Sequence, residues 1–67
     1  MIGDKTMKYK VKDLNSVFCT HDLEEAKEHA KENLSMRYSW EITGWWQDSM
    51  SQVLDEAGSI IFDAAKG

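Results

Sequence analysis

Few side chains in this chain combine a reactive type with a useful spacing. Cys19 is the only thiol, and His21 lies two residues beyond it. A nucleophilic cysteine needs a base within hydrogen-bond reach and a third group to orient that base. His21 supplies at most the base, and no residue nearby suggests the third group. Cys19, His21 and His29 lack the ligand spacing of a structural or catalytic metal site. No glycine-rich phosphate loop, HExxH or GxSxG pattern occurs. Twelve acidic residues guarantee adjacent pairs such as Asp55-Glu56, and a charged, solvated turn explains such a pair without chemistry. The sequence therefore predicts a non-enzymatic protein, with no catalytic residue, no metal and no cofactor.

Three groups of residues remain as candidate contact surfaces. Lys8, Lys10 and Lys12 alternate with Met7, Tyr9 and Val11, so the lysines share one side of a strand. With Arg37 nearby they form a row able to track a phosphate backbone. Sheet-based readers of RNA also need aromatic rings on that side for stacking. Only Trp45 is a candidate for that, because Tyr9 and Trp40 are expected to face inward. Trp45 and Trp46 are the second group. Adjacent residues of a strand point to opposite sides, so both cannot be buried, and an exposed tryptophan beside a bend is a typical binding anchor. The third group is Glu24, Glu28 and Glu32, an acidic arc suited to a basic partner.

The element that positions the acidic arc is the most legible in the chain. In DLEEAKEHAKENL, residues 22–34, Leu23, Ala26, Ala30 and Leu34 fall on one face at helical spacing. Asp22 with Glu25 fits a capping box, and Thr20 competes as N-cap. Glu24 and Glu25 sit in the first turn, where the helix dipole favours negative charge. The apolar face is half alanine, which suits close docking on a sheet.

Around this helix the sequence predicts strands. Residues 7–12 alternate cleanly, and Val17-Phe18-Cys19 follows a turn signal at Asn15-Ser16. Whether residues 7–19 form a hairpin or one bent strand stays open. Beyond the helix, Tyr38, Trp40 and Ile42 alternate with Arg37, Ser39, Glu41 and Thr43, which predicts a second strand interrupted at Gly44. Alternation carried past Gly44 puts Trp46 inward and Trp45 outward. QVLDEAGSIIFDA reads as a hairpin with Gly58 at a left-handed turn position. The alternative is a second helix over 48–57, capped by Ser49 with Gln52 and ended by Gly58. The fold class is α+β, one amphipathic helix on an antiparallel sheet of three or four strands in β-α-β-β order. The expected core is Tyr9, Val11, Phe18, Leu23, Ala26, Ala30, Leu34, Trp40, Ile42, Leu54, Ile60 and Phe62. Residues 1–6 are read as a flexible end and residues 7–67 as one domain.

The layout of KYKVKDLNSVFCT, DLEEAKEHAKENL, SWEITGWW and VLDEAGSIIFDA resembles small accessory proteins encoded by tailed bacteriophages. That group includes inhibitors of host and defence proteins, anti-CRISPR proteins among them. The resemblance covers Met7 to Ala64, is one of layout, and transfers no functional residue. It implies a binding role, and the host cytoplasm as its place.

Size and charge narrow the partners further. A chain of 67 residues buries only roughly 60% of the surface its unfolded form exposes. With one cysteine there is no internal disulfide to compensate, so Cys19 is expected as a reduced, partly buried thiol in a cytosolic protein. Exposed aromatic surface in so small a chain predicts a homodimer, with Trp45 as first contact and Trp46 as second. The net charge of −4 is polarised: residues 1–12 carry +3, the rest −7. That balance disfavours nucleic acid, which remains the alternative partner through Lys8, Lys10, Lys12 and Arg37. No secretory leader is evident and no apolar run approaches the roughly 18 residues of a membrane span, so a soluble, cytoplasmic protein without membrane contact is expected.

Overall fold

The computed structural model describes residues 8–66, so the reading of residues 1–6 falls outside the described residues. Strands β1 (Tyr9–Lys12) and β2 (Val17–Thr20) form an antiparallel hairpin, which settles the question left open over 7–19. Its turn is closed by the Asp13 N–H donating to the Ser16 carbonyl at 2.9 Å. Helix α1 (Leu23–Ser35) and helix α2 (Arg37–Thr43) follow, then a 3-10 turn over Asp48–Ser51 and a second hairpin, β3 (Gln52–Leu54) with β4 (Ile60–Asp63). All four strands join one antiparallel sheet in the order β2-β1-β3-β4. The fold is α+β, as the sequence predicts.

Helix α1 forms where the capping and spacing signals place it. The Asp22 carboxylate accepts from the backbone N–H groups of Glu24 at 2.9 Å and Glu25 at 3.4 Å. Thr20 does not compete as N-cap but supports the cap from behind. Its hydroxyl accepts the Asp22 N–H at 3.1 Å and donates to the Glu25 carboxylate at 2.6 Å. Ala26 and Ala30 are fully buried against Val11 and Val53. Beneath them the register sets a row across all four strands: Phe18, Val11, Val53 and Phe62. Valines at the two central positions leave room for alanines above, and the phenylalanines close the flanks. The Lys27 ammonium lies 5.4 Å from the centre of the Phe62 ring, its aliphatic stem serving the apolar side.

The second hairpin is the preferred reading of the C-terminal third, and no helix spans 48–57; only one 3-10 turn forms there. Asp55 organises the hairpin loop. Its carboxylate accepts from the N–H groups of Ala57 at 2.9 Å and Ser59 at 2.8 Å. Gly58 takes φ +88°, a conformation that side-chain-bearing residues adopt at a cost. Met50, on the 3-10 turn, is 1% exposed and belongs to the core that the sequence did not predict.

Residues 37–43 are a correction: they form helix α2, not a strand. Both long sides of β1 are already paired, by β2 and by β3, so the sheet offers no central place for another strand. The element order is β-β-α-α-β-β instead of β-α-β-β. Helix α2 buries none of its residues; Ile42, expected in the core, is 69% exposed, and Trp40 is only half-buried. Ile60 is a second correction, at 57% exposed. A register shift beside Val53/Leu54 pairs Ile60 with Leu54 and Phe62 with Val53. Phe62 thereby faces the helix while Ile60 and Leu54 face away.

Candidate binding surface

Helix α2 ends in a closure that decides where its aromatic residues point. Gly44, at φ +80°, donates its N–H to the Glu41 carbonyl at 3.1 Å. The Trp45 N–H donates to the Trp40 carbonyl at 2.8 Å. This double closure with a left-handed glycine is a Schellman motif. It folds Trp45 back on the helix, where its ring meets Trp40 with centroids 6.4 Å apart. Tyr38 is 76% exposed and Trp45 53%. Tyr38 and Ile42 stand at i and i+4 on one helix face, whereas Trp45 lies beyond the left-handed Gly44 and packs on Trp40.

The helix also carries its own charge pair. Arg37 Nε donates to Glu41 Oε2 at 2.9 Å, an i, i+4 bridge on the surface. The Arg37 guanidinium lies 5.4 Å from the centre of the Trp46 ring. Trp46, unlike Trp45, is half-buried, and its indole N–H donates to Asp48 at 3.2 Å. Arg37 and Trp46 line a shallow pocket with Asp48, Gln52, Asp63 and Lys66. Trp40 has an indole N–H that is buried with no acceptor among the described residues.

The predicted site residues therefore separate. Trp45 and Trp46 are adjacent but do different work, one exposed and one held in a polar network. Glu24, Glu28 and Glu32 lie along the exposed side of α1. Glu24 faces Lys27 at 3.7 Å and Glu28 faces Lys31 at 4.0 Å, exposed pairs worth a few tenths of a kcal/mol each at about this spacing. Lys8, Lys10 and Lys12 are all exposed. Arg37 does not join the lysine row: its partners are Glu41 and Trp46 on and after α2. Tyr38 and Ile42, expected inward, are the largest additions to the exposed surface.

A polar cluster escaped the sequence reading. His29 stacks on Phe18, with ring centroids 4.1 Å apart and planes 8° from parallel. Its Nε2 is 2.8 Å from Asp13 Oδ1. The Asn33 amide donates to the same Asp13 oxygen at 3.1 Å and to the Met50 carbonyl at 2.8 Å. This cluster ties the first turn of the sheet to α1 and to the 3-10 turn. It offers no nucleophile. Cys19 is exposed, not partly buried, and its Sγ lies 3.9 Å from the Val17 carbonyl. Among the described residues no three His, Cys, Asp or Glu side chains converge as metal ligands, and no helix is long and apolar enough to cross a membrane.

What the fold and this surface define is an α+β protein with a bare apolar helix flank. Set against known proteins, the chain matches no protein-family model, no curated protein and no solved structure.

Proposed function

We propose that this chain is a non-enzymatic protein-binding module that lays the exposed flank of α2 into an apolar groove of a partner protein. One observation carries the reading: α2 buries none of its own residues, yet exposes Tyr38 and Ile42 one turn apart on a single face. Soluble helices normally turn their apolar residues inward, and contiguous exposed apolar surface marks interaction sites. Anchors one turn apart, at i and i+4, belong to the pattern by which helices occupy grooves. The role that fits is an inhibitor or accessory factor acting on a host or defence protein in the bacterial cytoplasm, of the kind tailed phages encode. Binding of this type requires no cofactor.

Without a partner, the same flank closes on a second copy. A two-fold pairing of this flank covers Tyr38 and Ile42 of both copies. The experiment is affinity capture from bacterial lysate, run in parallel with wild type and a Tyr38→Ser/Ile42→Ser variant. Light scattering over a concentration series accompanies it. The expected result is a protein captured by wild type and lost by the variant, and a dimer that the variant converts to monomer. A partner retained equally by both would place the contact elsewhere. A strictly monomeric wild type at high concentration would remove the dimer while leaving the module.

A further inference from the structure

The sheet has one side under α1 and one side bare. Strand register places Cys19, Lys10, Leu54 and Ile60 in one row across the bare side. Lys12 pairs with Val17 one step further along the same strands. Val17 is 52% exposed and Ile60 57%, so aliphatic residues flank the lysines on both edges. None of the four ion pairs among the described residues uses Lys8, Lys10 or Lys12. The carboxylates at the margins of this side are Asp63, which accepts from the Gln52 amide at 3.3 Å, and Asp55 and Glu56, which line a pocket with Lys8; Lys10 and Lys12, at its centre, are in no ion pair among the described residues.

The dimensions of this side suit a helix. Four strands are about 14 Å across at their usual separation, and alternate residues of β1 repeat about every 6.7 Å. A helix is about 10–12 Å wide, and residues four apart on it repeat about every 6 Å. Carboxylates at that interval meet Lys10 and Lys12 together, while apolar neighbours on the same helix reach Val17 and Ile60. We infer that the bare side is a second contact surface, separate from the α2 flank, which receives an acidic amphipathic helix of a protein partner.

Other anionic partners fit less well. The aromatic residues of the strands, Tyr9, Phe18 and Phe62, all pack toward the core, and Trp46, which lines a pocket with Gln52 and Asp63 at the margin of this side, is held by Asp48 and Arg37, so no strand ring stands beside the lysines to stack a base. Val17, Leu54 and Ile60 give a phosphate backbone nothing. A polyanion or an anionic membrane also extends beyond the lysines into the field of a molecule with net charge −4. A short acidic helix confines its charge to the patch.

The test uses the full chain and a labelled synthetic helix with glutamates four apart on one side and leucines beside them. Fluorescence anisotropy should show saturable binding that weakens about ten-fold between about 50 and 300 mM salt. Lys10→Gln/Lys12→Gln and Val17→Ser/Ile60→Ser should each weaken it by about ten-fold, equivalent to about 1.4 kcal/mol. Circular dichroism verifies that these variants stay folded, and Tyr38→Ser/Ile42→Ser should bind as wild type does. The inference is overturned if the peptide fails to bind at low salt, or if binding survives the loss of both lysines. It is equally overturned if only the α2 variant abolishes binding. Tighter retention of oligothymidylate or phosphatidylserine vesicles than of the peptide would assign the surface to nucleic acid or lipid instead.

Discussion

Replacing Ala30 with Phe measures how closely α1 lies on the sheet. Ala30 is 0% exposed, and the valines of the central strands, Val11 and Val53, are equally closed to solvent. A phenylalanine there has no route outward, so its ring must lift the helix or displace the valines. Overpacking a well-filled core costs about 1–3 kcal/mol and occasionally more; a whole aromatic ring belongs at the upper end. A chain of this length draws only about 3–5 kcal/mol from its core, so Ala30→Phe should lose most of its stability and be at best marginally folded at room temperature. Two companions separate packing from helix propensity. Ala30→Gly loses one buried methyl, about 0.8 kcal/mol, and about 1 kcal/mol of propensity; it should fold with a reduced midpoint. Lys31→Phe, one residue away on the exposed side, should stay within about 0.5 kcal/mol of wild type. Urea unfolding followed by far-ultraviolet circular dichroism gives all three midpoints. An Ala30→Phe protein with the wild-type midpoint would show that the helix does not dock on this row.

Two further substitutions probe the joints. Asn33→Ala strips the Met50 carbonyl of its amide donor and should cost about 1–3 kcal/mol, a thermal midpoint lower by about 4–8 °C per kcal/mol; an unchanged midpoint would mean that water serves the carbonyl as well. Gly44→Ala adds a methyl that meets nothing within 4 Å, so its cost is purely conformational, about 1–2 kcal/mol for a left-handed residue. Tryptophan fluorescence should shift as the Trp40–Trp45 contact loosens, and a stabilised Gly44→Ala protein would rule out the left-handed closure.

What the chain disclosed in advance depended on how local the cause was. Helix α1 was legible because its cap, its first-turn acids and its alanine spacing all lie within fourteen consecutive residues. The C-terminal hairpin was legible from Asp55 and Gly58, which build the loop by themselves. Helix α2 was misread because RYSWEIT satisfies two periods at once: it alternates, and it also pairs Arg37 with Glu41. The deciding signal was Trp40 four residues before Gly44, with Trp45 immediately after. That misreading hid Tyr38 and Ile42, and it reached the exposure of Trp45 by strand parity instead of by the helix end that produces it. The lysine row needed only parity along β1 and was read directly. The placement of Ile60 turned on a register shift, the burial of Met50 on tertiary docking, and the Asp13–His29–Asn33 cluster on contacts across 16 and 20 residues. None of these has a local signature.

The strand order also has a kinetic consequence. Each hairpin pairs with itself, but the joint between them links Lys10 to Leu54, and both helices lie between. Local hairpins close early, whereas a joint of such long range must first overcome the loop entropy of everything it encloses. Until then β1 waits with one edge open, and any β3–β4 hairpin of the same sequence satisfies it equally. The intervening helices form a tether long enough for that hairpin to come from another copy, so refolding at high concentration should yield exchanged dimers. Their dissociation would be slow and insensitive to Tyr38→Ser/Ile42→Ser, which distinguishes them from pairs held by the α2 flank.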